Sequence, residues 1–187
     1  TVILFTSDHG EMLSDHCWCH KSLPYQGSVR VPMLVAGPEK YIGPAGRTDL
    51  SLVGLQDVMP TVLKLADAPV PAHLDGENAL EGTKRTWLHG EHVFRFEDRS
   101  NQFIVTKTDK YVWFSQTGEE QYFDLENDPQ ETHNAIEDPA HQARIAQLRG
   151  YLIEALKDSE EGYSDGEHLI VGRPPQECLS NATAENV

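Results

Sequence analysis

TVILFTSDHGEMLSDH, residues 1–16, is the stretch whose reading decides the fold class. Its apolar run from Val2 to Phe5 does not alternate with polar residues, the pattern of a strand covered on both faces, and so predicts a buried strand of a parallel sheet. Such a strand needs neighbours. In open α/β sheets ligands collect beyond the carboxyl ends of the strands, which is where Asp8, His9, Glu11, Asp15 and His16 would lie. The chain starts inside this strand without an initiator methionine, so the expectation is a fragment of a larger enzyme, with one domain cut and another whole.

Asp8 and His9 are oxygen and imidazole donors placed side by side where the strand gives way to a loop. Both can face one metal ion only if the backbone turns sharply, which Gly10 permits; the alternative is a solvated loop end. Further on, the ammonium of Lys21 suits a point charge against an oxyanion or leaving group. His16, Cys17, Cys19 and His20 invite a zinc reading, but a C-x-C with flanking histidines lacks the second ligand pair a tetrahedral site uses, which disfavours it. Arg30 in GSVRVP is either a substrate contact or a strand arginine paired with a core carboxylate. His89, Glu91 and His92 in WLHGEH form a second polar patch, either lining the pocket or making an ordinary interdomain turn. Trp113, Phe114, Tyr122 and Phe123 read as core. The chain has no phosphate-cradling glycine loop, no G-x-S-x-G elbow and no Ser-His-Asp order.

A formal charge of −15, from 15 Lys plus Arg against 30 Asp plus Glu, argues against nucleic acid and anionic membrane as partners. It leaves room for an anionic small substrate, because a divalent ion with Lys21 and Arg30 can make one positive pocket in an acidic protein. Three cysteines, two of them close together at Cys17 and Cys19, favour a reduced, cytoplasmic setting. No window is long and apolar enough for a membrane span, and Asn181-Ala182-Thr183 reads as a chance glycosylation triplet.

The segment VRVPMLVA at 29–36 reads as a second strand ending at Gly37-Pro38. Over residues 52–66, Leu55, Val58, Met59, Val62 and Ala66 recur at helical spacing, with Pro60 either kinking the helix or marking its first turn. Residues 67–84 are rich in Pro, Gly and charge, a crossing between domains. Strand-like runs at 86–92, 102–107, 110–115 and 120–125 are separated by short turns and predict an antiparallel meander. Ile145, Leu148, Leu152 and Leu156 then mark one face of a helix within 139–157. The expected division is 1–83 for the carboxyl-terminal part of a large domain, 84–160 for a small sheet-and-helix domain, and 161–187 for a tail that wraps or stays loose.

The run TVILFTSDHGEMLSDHCWCHKSLPYQGSVRVPMLVAGP resembles the metal and lysine region of the sulfatase family, close to FTSDHGEMLGDHGLWGKxxxYEGSxRVPLIxxGP. In the same order, TDLSLVGLQDVMPTVLKLADAPVPAHLDGENAL is similar to the family's D-I-M-P-T-L-L-x-L-A-G helix, and DKYVWFSQTGEEQYFDLENDPQETHNAI to its KYI…Y-D-L-x-x-D-P-x-E-x-x-N signature. The resemblance implies an alkaline-phosphatase-like α/β fold, a parallel-sheet domain with a smaller carboxyl-terminal domain of antiparallel sheet plus helix. It also implies a formylglycine nucleophile, made from a cysteine or serine in a C/S-x-P/A-x-R motif, whose hydrated form attacks sulfur. On this likeness Asp8 and His9 hold a divalent cation, usually calcium, and Lys21 contacts the sulfate and the leaving oxygen; read from the residues themselves, His89 and Arg30 are further candidate substrate contacts. The substrate implied is a small-molecule sulfate ester.

No C-x-P-x-R or C-x-A-x-R occurs here, so the formylglycine and the remaining metal ligands are expected on a missing amino-terminal part of the same polypeptide, and this chain alone is expected to be inactive. Where the family tends to carry glycine this chain has Ser14, Cys17 and His20, and Gln26 stands where the family favours glutamate. A histidine at position 9 also matches the related phosphonate monoester and phosphodiester hydrolases, which favour manganese or zinc. The competing readings are therefore such a hydrolase, or a catalytically inactive fragment serving as an interaction module.

Overall fold

In the computed structural model, which describes residues 1–94 and 99–176, β1 (Ile3–Thr6) pairs with β2 (Met33–Ala36) in antiparallel register, Ile3 against Ala36 and Thr6 against Met33. This corrects the parallel-sheet expectation: both sheets among the described residues, this ribbon and a four-stranded sheet, are antiparallel. The physical reason lies in what an apolar run encodes. It says that both faces of a strand are apolar but carries nothing about the direction of the neighbour. Here Ile3, Phe5 and Leu34 are largely exposed on one face of the ribbon, so the apolar run marks a face left uncovered among the described residues.

Between the ribbon strands the chain makes a loop closed by the short helix α1 (Gln26–Val29). After β2 come α2 (Glu39–Ile42), a 3-10 turn at Leu55–Asp57 and α3 (Val58–Leu65). Pro60 falls in the first turn of α3, where its missing N–H costs nothing. Met59 and Val62, on the helical stripe read from the sequence, are about half exposed, whereas Pro60 and Thr61 on the other side are buried. Asp57 clasps this region: each carboxylate oxygen accepts two bonds, Oδ2 from the Gly54 N–H (2.8 Å) and Arg85 (2.7 Å), Oδ1 from the Glu77 N–H (2.7 Å) and Arg85 (2.7 Å).

The four-stranded sheet is a meander, β3 (Leu88–Phe94), β4 (Arg99–Val105), β5 (Asp109–Phe114) and β6 (Glu120–Asp124), in that spatial order. Strand parity divides its side chains. On one face Ile104, Tyr111, Trp113 and Tyr122 pack under α4 (Gln142–Leu156), whose Ile145, Leu148, Leu152 and Leu156 are all buried. Each such side chain stabilises by roughly 1.5–3 kcal/mol on burial. The other face, Phe103, Val112 and Phe123, packs against Tyr25 and Val29 of the loop that follows Lys21.

Beyond α4 the segment expected to wrap or stay loose docks in part. Tyr163 is buried, meets Trp113 edge-on at 5.9 Å and shares a 3.1 Å hydrogen bond with the Ser100 hydroxyl. Among the described residues no helix is long and apolar enough to cross a membrane. The Asn181-Ala182-Thr183 triplet lies outside the described residues.

Candidate functional site

One broad cleft of about 1680 Å³ runs between the ribbon, the loop after Lys21, the 3-10 turn at Leu55–Asp57 and the edge of the four-stranded sheet. Asp8, His9, Lys21, Arg30 and His89, which the sequence singled out, all line it. Glu11, Asp15 and His16 do not. Glu11 accepts the backbone N–H groups of Leu13 and His20, and His16 stacks flat on Tyr25 at 4.0 Å while donating to the Gln130 carbonyl (3.2 Å).

β1 delivers Asp8 and His9 to the cleft mouth. Gly10 follows because of a close approach rather than a turn: its N–H donates to the Ser28 carbonyl (2.7 Å), and a Cβ there would sit 2.1 Å from the Gly27 carbonyl oxygen. The His9 Nδ1 lies 2.7 Å from the Gly10 carbonyl. A carbonyl only accepts, so Nδ1 carries a proton, and the other ring nitrogen, Nε2, stands 3.5 Å from Asp8 Oδ2. Two donors side by side, one with its far ring nitrogen bonded from behind, are what a divalent cation takes as neighbouring ligands. Asp8 is exposed; desolvation raises its carboxyl, but the charge of the His9 ring, backbone N–H bonds and the Lys21 ammonium together outweigh this and hold it below the usual range. Among the described residues no group of three or more His, Cys, Asp or Glu could hold a metal ion. Asp8 and His9 by themselves offer two donors, fewer than a cation's shell takes.

Lys21 is exposed at the end of a loop with left-handed backbone at Leu13, Ser14, His16, Cys17, His20 and Ser22. Ser14 (φ 79°), Cys17 (58°) and His20 (70°) are the positions where the family tends to have glycine, so this chain carries strained conformations that glycine would adopt freely. Cys17 and Cys19 are exposed free thiols. Arg30 is an exposed residue just after α1.

Strand parity sorts the WLHGEH patch. His89, opposite Ile104, shares the α4 side and hydrogen-bonds Gln102 Oε1 at 2.9 Å, whereas His92, opposite Asn101, shares the side of Phe103 that faces the loop. Burial first, then the Lys21 charge, push the His92 imidazole below its usual range. The odd spacing of the two histidines along one strand was the available signal. No local signal linked Lys110 and Glu131, which form a buried ion pair behind the loop that carries Lys21.

Residues 14–158 match the family model of N-sulphoglucosamine sulphohydrolase, C-terminal. The chain is 46% identical over 181 residues to an arylsulfatase of Clostridium perfringens, a match covering 93% of this chain and 37% of that protein. It is 33% identical to the multifunctional alkaline phosphatase superfamily protein PehA of Trinickia caryophylli, over 83% of this chain and 34% of that one. A putative sulfatase from Bacteroides thetaiotaomicron superposes with a TM-score of 0.78 at 23% identity, covering 95% of this chain and 42% of that one. The phosphonate monoester hydrolase of Agrobacterium radiobacter superposes with a TM-score of 0.67 at 29% identity, covering 84% and 34%. The chain spans between about a quarter and two fifths of the length of the curated relatives it matches. Together with the collinear motifs and the cleft they line, these matches show that the chain belongs to the sulfatase family of the alkaline phosphatase superfamily and corresponds to its carboxyl-terminal part.

Proposed function

We propose that this chain is the carboxyl-terminal portion of a sulfuric ester hydrolase acting on a small-molecule sulfate ester, and that it contributes part of the active site. The observation that carries the reading is the meeting of Asp8, His9 and Lys21 on one cleft, with His9 Nε2 standing 3.5 Å from the Asp8 carboxylate. Asp8 and His9 would hold a divalent cation, calcium on the family pattern; such an ion supplies Lewis-acid polarisation of the sulfate. Lys21 places a fixed positive charge where negative charge develops on the departing alcohol, an interaction stronger in the transition state than in the ground state. Arg30 on the cleft wall is a further candidate for binding the substrate, whereas His89 borders the cleft with its ring on the α4 side, bonded to Gln102.

The formylglycine and the remaining cation ligands belong, on this reading, to an amino-terminal part of the same polypeptide. The cleft supports that: it exceeds the roughly 300–1,000 Å³ of a small-ligand pocket, and exposed Ile3, Phe5 and Leu34 offer an apolar face for further chain to cover. The exposed thiols of Cys17 and Cys19 suit a reducing, cytoplasmic setting.

A second reading, a phosphonate monoester or phosphodiester hydrolase, is favoured by His9 and by the 29% identity to the Agrobacterium enzyme. The test is hydrolysis of 4-nitrophenyl sulfate and of an aryl phosphonate monoester by the intact protein, before and after chelation and with calcium, manganese or zinc restored. Sulfate ester turnover restored by calcium, and lowered about 10²- to 10³-fold by Lys21→Ala, is the expected result. Turnover of the phosphonate alone, restored by manganese or zinc, would establish the second reading. No turnover of either ester by the intact protein would leave the interaction-module reading.

A further inference from the structure

The loop that carries Lys21 is held from the side of the small sheet by buried polar groups that have no part in the core. Asn101 on β4 donates from Nδ2 to the Ser22 carbonyl at 3.1 Å, next to Lys21. Lys110 on β5 donates from Nζ to the Pro24 carbonyl at 2.6 Å and to Glu131 Oε1. The other Glu131 oxygen accepts the Gln26 N–H, at the start of α1, at 2.6 Å. Asn101, Lys110 and Glu131 are all essentially inaccessible to solvent. Around them Tyr25, stacked under His16, donates its hydroxyl to Gln121 at 3.0 Å.

A buried ion pair is a poor stabilising device, since desolvating both charges offsets their attraction and a well-packed apolar pair of the same volume often serves as well or better. Glu131 moreover holds a left-handed backbone (φ 59°), a conformation glycine adopts more readily. Two unfavourable features meet in one residue whose carboxylate grips the backbone of the Lys21 loop. We infer that Lys110, Glu131 and Asn101 are positioning residues, through which the small sheet sets where Lys21 stands in the cleft. This rests on the reading of Lys21 as the group that meets the sulfate. The pair acts through backbone at residues 22–26, one to five residues beyond Lys21, and does not touch the substrate.

The test is a double-mutant cycle in the intact protein, pairing Lys110→Met/Glu131→Gln with Lys21→Ala. The double replacement removes both charges and keeps an amide oxygen for the Gln26 N–H, which avoids stranding one buried charge; Asn101→Ala is a milder second variant. Because small displacements of a positioning group cost up to about 10²-fold, kcat/KM on 4-nitrophenyl sulfate should fall roughly 10- to 100-fold with Lys21 present and less than about 2-fold in the Lys21→Ala background. Hydrogen exchange should quicken at residues 22–28 while α4 stays protected. Equal losses in both backgrounds, or exchange that quickens throughout the molecule, would overturn the inference and leave the pair purely structural. A Lys21→Ala protein that turns over at the full rate would instead defeat the reading of Lys21, and the exchange data alone would then decide whether the tether exists.

Discussion

Replacing Asp57 by asparagine should cost this protein a large share of its stability, because no orientation of an amide satisfies the site. Each carboxylate oxygen of Asp57 accepts two donors, one backbone N–H and one arm of the Arg85 guanidinium. Turning the asparagine either way sets its NH2 against one such pair, leaving two buried donors without an acceptor at about 1–3 kcal/mol each. Arg85 keeps a 3.2 Å contact with Glu77, which is partly exposed, so the guanidinium is not wholly abandoned. The sum is about 2–6 kcal/mol, against a total stability that is typically 5–15 kcal/mol. For a chain of this size it corresponds to a drop in Tm of roughly 4–24 °C. Urea unfolding of the intact protein reads it as a shift in midpoint with the slope unchanged. The double replacement Asp57→Leu/Arg85→Met, which removes donors and acceptor together, should cost less than Asp57→Asn. A loss below about 1 kcal/mol for Asp57→Asn would refute the account of Asp57 as a fourfold acceptor.

Gly10→Ala would drive a methyl group into the Gly27 carbonyl, a backbone atom that cannot swing aside, so the β1 end must part from residues 27–28. Cation affinity measured by calorimetry should fall at least about tenfold, with a stability loss of about 1–3 kcal/mol. Ser14→Gly, Cys17→Gly and His20→Gly should each raise stability by about 0.5–1 kcal/mol, seen as a higher Tm; a fall at these positions would contradict the left-handed backbone assigned to them. Although desolvation works against it, Glu120 is held below the usual carboxylate range by hydrogen bonds from Arg149 and Tyr111 and by the Arg149 charge. A depressed carboxyl contributes stability that is present above its unfolded value and lost as pH falls through the folded one. Acid titration of the Glu120→Gln protein should therefore lack part of the stability loss that the parent shows below about pH 4.5; an unchanged acid limb would count against the Glu120–Arg149 contact.

How much of this was legible beforehand varied with the range of the interaction responsible. The meander and α4 follow from periods of two and of three to four residues, so their strands and the stripe Ile145, Leu148, Leu152 and Leu156 could be placed from spacing alone. That Asp8, His9 and Lys21 would line one cleft was legible because their motif order is local. The direction of β1 was not, since Val2–Phe5 declares two apolar faces and leaves the neighbour unnamed until β2 returns antiparallel. Tyr163 was missed because a single aromatic in a polar segment has no period, and only Trp113 and Ser100 give it a place.

What the amino-acid sequence by itself determined is the family, through the order of its motifs, together with the acidic charge and the residues, Asp8, His9 and Lys21, on which the proposed site is built. Tertiary structure alone decided which groups work together. It turned His92 rather than His89 toward the face shared with the Lys21 loop, fixed the His9 tautomer through the Gly10 carbonyl, and brought Lys110 and Glu131 up behind residues 22–26. The reason is separation along the chain. Residue type and short-range period are written in order, whereas partners such as Glu131 and Gln26, distant in sequence, are chosen only when packing closes the loop between them.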